Sequence, residues 1–127
     1  MFEPRIVDVK RAAKENSFFR KVLVTASKSQ VVLMSLLPGE EIGTEIHQGD
    51  QLLYAVKGRA VAVVNRTKEP FEKGTMLCVP AGTEHNVINT GDEPFKLFTV
   101  YAPPEHADRV IHETKADAES AEAHVSA

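Results

Sequence analysis

Glu45 and His47 stand two residues apart, Gln51 follows four residues later, and His85 lies in a separate stretch. Each carries an oxygen or nitrogen able to bind a metal ion. Strand residues two apart point to one face, so Glu45 and His47 share a side. The tight stretch Gln48-Gly49-Asp50 predicts a hairpin that returns Gln51 beside them. Simple alternation puts Asp50, a rival oxygen donor, on the opposite face. Pro80 and Gly82 fit a turn between two strands, with His85 at the start of the second. The single cysteine, Cys78, sits between Leu77 and Val79 and is expected to be buried as a small hydrophobe. Any metal must therefore rely on nitrogen and oxygen ligands.

The elements that must position these residues read as β. Short β-branched runs alternate with turn residues, the pattern of an all-β sandwich or barrel. Strands are expected at 22–25, 30–37, 52–56, 60–65, 75–79, 85–89 and 95–101, punctuated by Pro38-Gly39, Lys57-Gly58, Lys73-Gly74, Ala81-Gly82 and Thr90-Gly91. One helix is expected, over 115–123, with Thr114 as N-cap and Asp117 three positions on. Its apolar residues are nearly all alanine, so it buries little and is expected to fray past Ala121. Tyr54, Phe98, Tyr101 and Met34 are candidates for packing inside the barrel. His106, His112 and His124 lie in an acidic tail and read most simply as solvated.

Composition narrows the classes. A chain of 127 residues, 43% hydrophobic and 26% charged, suits one soluble domain: a barrel over 1–113 and a short acidic helical tail over 114–127. The net charge is -3, and the residues from Glu105 onward carry -4 of it, leaving the body near +1. A near-neutral body has no electrostatic footprint for nucleic acid. No apolar run approaches the ~20 residues that cross a bilayer. The start Met-Phe-Glu-Pro-Arg lacks a signal peptide's basic-then-apolar order, so a cytoplasmic protein is expected.

Two stretches resemble the paired signatures of the cupin superfamily. Gly39, Glu45, His47, Gln51 and Gly58 match the spacing of the first, with two changes of residue type. Gly74, Pro80, Gly82, His85 and Asn89 match the second with none. The resemblance implies an all-β single cupin (double-stranded β-helix, or jelly-roll) barrel. It also implies one divalent metal ion held by Glu45, His47, Gln51 and His85, with Asn89 and the glycines structural. Family cupins place three histidines and a glutamate on the metal. Here Glu45 stands where the first histidine would be and Gln51 where the glutamate would be. That harder donor set favours Fe, Mn, Ni or Zn over copper. Gln51 is either a direct ligand or a hydrogen-bond partner that orients one. Small cupins with this pattern are often labelled mannose-6-phosphate-isomerase-like.

Three functions fit. The first is a metal-dependent enzyme of isomerase, lyase or tautomerase type on a small sugar-like or oxo-acid substrate, with Glu45 as ligand or, if released, catalytic base. Dioxygenase chemistry is a weaker branch, because the three-histidine set is broken. The second is a non-catalytic module that senses a small sugar or anion; the third is a cupin whose site is lost. No lysine or arginine cluster stands beside the motifs. As in other small cupins, a homodimer is expected, using apolar edge material at 6–9 and 18–24.

Overall fold

A computed structural model describes residues 3–126. In chain order the elements are α1 (Val9–Glu15), β1 (Arg20–Thr25), β2 (Gln30–Leu36), β3 (Asp50–Lys57), β4 (Arg59–Val64), β5 (Thr67–Glu72), β6 (Met76–Val79), β7 (His85–Ile88), β8 (Phe95–Ala102), β9 (Ile111–His112) and α2 (Lys115–Ser126). The strands form two sheets, ordered β6-β3-β8-β2-β1-β9 and β5-β4-β7. Alternation along the strands sends one set of side chains inward. From the larger sheet these include Val32, Met34, Leu36, Leu53, Phe95 and Leu97; Ala60, Ala62, Phe71 and Val87 come from the smaller. The result is the jelly-roll expected from the sequence, closed by a short C-terminal helix.

All seven expected strands form, within about two residues at each end. Two more strands form where none is expected: β9, only two residues long, and β5, whose Thr-Lys-Glu-Pro-Phe-Glu buries only Phe71. Strand β5 lies at the edge of its sheet, where a proline such as Pro70 is tolerated.

The N-terminal segment adds a second helix to the one expected. Residues 9–15 are helical rather than extended. Asp8 caps them, accepting from the Arg11 N–H at 3.1 Å, and Arg11 pairs with Glu15 one turn on at 3.5 Å. Ala13 of α1 is buried with Leu33 and Val56, and Tyr54 and Phe98 pack against that cluster. Those two aromatics therefore sit on the outer face of the large sheet, stacked at 5.3 Å; Met34 and Tyr101 pack inside as expected. Ile6 is fully exposed, and the early part of β1 is already paired with β9. That pairing covers Arg20 and Lys21 only.

At the other end Thr114 caps α2, accepting from the Asp117 N–H at 3.1 Å. Ala118 is buried in the main core, and the helix continues past Ala121 to Ser126. Cys78 is exposed, not buried. It alternates with inward-facing Val79 and stands opposite Leu52, also exposed. Among the described residues, no helix is long and apolar enough to cross a membrane.

Candidate functional site

Backbone pairing carries the two motifs together. The Glu45 N–H donates to the His85 carbonyl at 2.9 Å, and the His85 N–H returns the bond to Glu45 at 3.0 Å. The Gly82 N–H donates to the His47 carbonyl at 2.8 Å, a turn in which Gly82 takes φ +80°. Asp50 points away, as alternation required, and accepts from the Ala81 N–H at 3.0 Å. It ties the turns together. Asn89 is likewise structural: buried, it donates to the carbonyls of Leu36 and Glu93.

Gln51 and His85, each 2% exposed, meet inside the barrel. The His85 Nδ1 lies 2.9 Å from the Thr83 carbonyl, which can only accept, so Nδ1 carries the proton. In the neutral ring Nε2 is then a lone pair, and it faces Gln51 Oε1 at 2.9 Å. The Gln51 amide nitrogen donates to the Thr99 hydroxyl at 3.0 Å, which turns the amide oxygen toward His85. Two acceptors in contact need a second proton on His85, a reversed amide, or a cation between them.

Glu45 and His47 form a second pair. Glu45 Oε2 lies 3.0 Å from His47 Nε2, yet this buried nitrogen has no properly directed hydrogen bond among the described residues. His47 Nδ1 meets Glu105 Oε1 at 3.0 Å, an arrangement that fixes the ring and directs Nε2 inward. Burial works to raise the Glu45 carboxyl, but neighbouring His47, with Arg20 and His85, holds its pKa below the ordinary value. The carboxylate of Glu45, against the cost of burial and with help from Glu105, holds the His47 pKa above its ordinary value.

The two histidine rings are 5.4 Å apart, tilted by 51°. Among the described residues no three His, Cys, Asp or Glu donors close on one point; the four expected ligands stand as two pairs. Metal bonds of about 2.1 Å at right angles put neighbouring donors about 3.0 Å apart. Both pairs have that spacing. The buried, unbonded His47 Nε2 leaves room for a cation, and Glu45, His47, Gln51 and His85 are the residues that would hold one.

Four partners were not foreseen. Glu105 comes from the segment read as a solvated tail, and Thr83 and Thr99 fix His85 and Gln51. Arg20, only 3% exposed, enters from β1, so the region has a cation that motif inspection missed. His106 also corrects the solvated reading. Its ring packs edge-on against Tyr101 at 5.3 Å, and burial, then the charge of Arg20, pulls its pKa down to about 4. Tyr101 is itself pushed well above the usual phenol range by burial and by Glu45. His112 is half-buried, its Nδ1 3.2 Å from the Arg20 guanidinium; the side chain of His124 lies outside the described residues. No residue spacing announces these contacts. Glu45, Glu105, Arg20 and His106 share a cavity of about 480 Å³.

Comparison with known proteins agrees with this architecture. Residues 32–101 match the family model described as Cupin domain. The chain is 46% identical to the uncharacterized protein YrkC of Bacillus subtilis over 94% of this chain and 68% of that one. It superposes on the crystal structure of BH2720 from Bacillus halodurans with a TM-score of 0.91 and 40% identity, covering 93% and 95% of the two chains. A shorter match, 36% identical over 56 residues, is to the glucose-6-phosphate isomerase of Thermococcus onnurineus, covering 40% of this chain and 30% of that one. With the family model spanning more than half of its length and the jelly-roll shared, the chain belongs to the cupin family.

Proposed function

We propose that this cupin is a metal-dependent enzyme of isomerase or lyase type, acting on a small polar substrate that is sugar-like or an oxo acid. Glu45, His47, Gln51 and His85 would hold one Fe, Mn, Ni or Zn ion. The observation that carries the reading is chemical: four buried or half-buried donors meet as two pairs, 2.9 and 3.0 Å apart, and the buried Nε2 of His47 has no hydrogen-bond partner among the described residues. Leaving such a group unmatched is costly. Bound there, the ion supplies Lewis acidity toward a carbonyl or hydroxyl oxygen.

The chain's own residues do the rest. Thr83 holds His85 in one tautomer, Thr99 aims Gln51, and Glu105 aims His47. Glu45 keeps its carboxylate at the cavity wall with its pKa held low. In this reading it is a ligand that takes up a substrate proton when released. The partial similarity to a glucose-6-phosphate isomerase supports isomerisation over other branches and assigns no substrate.

Elemental analysis of the purified protein is expected to find about one equivalent of metal per chain. Less than about a tenth of an equivalent, not restored by Fe, Mn, Ni or Zn, ends the reading. Metal-loaded protein incubated with sugar phosphates, uronates and oxo acids should then give product by NMR; binding without product makes the chain a sensing module instead. We place the protein in the cytoplasm as a homodimer. Light scattering should report twice the 14.0 kDa chain mass, and a monomer at high concentration contradicts this.

A further inference from the structure

Among the described residues, Arg20 is a buried cation with no carboxylate closer than 4.0 Å. It is 3% exposed, its Nε has no hydrogen-bond partner among the described residues, and its nearest carboxylate there is Glu122 at 4.0 Å. Glu122 is itself 65% exposed, so water screens that pair. The guanidinium instead contacts His112 Nδ1 at 3.2 Å and forms part of the wall of the cavity that also holds Glu45. On the same wall His106 Nε2 is buried and has no hydrogen-bond partner among the described residues.

A planar fork of N–H donors matches a carboxylate, which can take two of them at once. The other charges do not occupy that role. Glu45 and Glu105 both lie 3.0 Å from His47, and among the described residues no carboxylate other than Glu122 comes within 4.0 Å of Arg20. One arginine beside three carboxylates suits a single negative charge better than the near-double charge of a phosphate. We infer that the substrate carries a carboxylate, and that Arg20, with His106 beside it, receives that group while the rest of the molecule reaches the Glu45–His47 pair. The class is then a sugar acid or oxo acid rather than a neutral sugar or a sugar phosphate. This deepens the metal-site reading and rests on it for the chemistry, not for the carboxylate contact.

The test titrates ¹⁵N-labelled full-length protein, apo and loaded with Zn(II), with glucuronate, pyruvate, glucose and glucose 6-phosphate. The Arg20 Nε–H resonance, identified by its loss in Arg20→Gln, should move with glucuronate or pyruvate and stay fixed with glucose. Calorimetry should show Arg20→Gln weakening carboxylate binding at least about tenfold, with the Zn(II) Kd changed by less than about threefold. Should Arg20→Gln fail to fold, Arg20→Lys, which also lacks the Nε–H, makes the assignment and the wild-type resonance decides. A resonance unmoved by both carboxylates, equal affinity for glucose and glucuronate, or tighter Arg20-dependent binding of glucose 6-phosphate overturns the inference. If carboxylates move Arg20 but none of Fe, Mn, Ni or Zn binds, the metal reading fails and the subsite stands. Zn(II) uptake with no carboxylate response gives the reverse.

Discussion

Replacing His85 with alanine is expected to abolish metal binding, while Asp50→Ala leaves it nearly intact. His85 is almost wholly buried, and the Thr83 carbonyl holds its Nδ1 proton, so Nε2 is pre-aimed before any ion arrives. In the proposed set alanine removes one of four donors. Residues that merely orient a ligand cost about 10–100-fold in affinity when lost. Glu105→Ala should fall in that range, because Glu105 only aims His47; His85→Ala should exceed it. Asp50 is as acidic and as near in sequence, but its carboxylate is spent on the Ala81 N–H. Its loss should cost about 1 kcal/mol of stability and little affinity. Calorimetric titration with Zn(II), paired with circular dichroism to confirm folding, separates the two. Equal losses of affinity from His85→Ala and Asp50→Ala would mean that the oxygen donors have been misassigned.

Gly49→Ala should be the most damaging single-methyl change in the site's scaffold. A Cβ at position 49 would lie 2.6 Å from the Ala102 carbonyl oxygen and 2.7 Å from Pro103 Cδ. The first of these is backbone and the second belongs to a rigid ring, so neither neighbour can swing aside. Overpacking of this kind costs on the order of 3 kcal/mol, which for a chain of this size lowers Tm by about 10 °C. The strain also reaches the site, because Asp50 and Gln51 follow immediately and Asp50 pairs with Ala102. Metal affinity should therefore fall with stability. Gly82→Ala is the control: no atom lies within 4 Å of its added methyl, and only the left-handed backbone at φ +80° resists it. Its cost should stay near 1 kcal/mol. Denaturant midpoints measure both; a loss below about 1 kcal/mol at position 49 would show that the turn and β8 yield to the methyl.

The ligand candidates were legible because their positions follow from short-range rules. Glu45 and His47 share a face by parity, Asp50 takes the other, and Pro80-Ala81-Gly82 sets where β7 must begin. Periodicity likewise located seven strands, and Thr114 marked the start of α2. Sequence could not show which distant residues complete those rules. Glu105 reaches His47 across 58 positions, and Arg20 reaches His112 across 92; no local pattern encodes either contact. Alternation also fails to say which face is buried when both are apolar. That is why Cys78 and Tyr54 were turned inward in expectation, while the sheet turned them out. Local chemistry settled the motif positions and the strand periods; tertiary packing alone decided which charges stand beside the site, because a jelly-roll joins sequence-distant strands edge to edge.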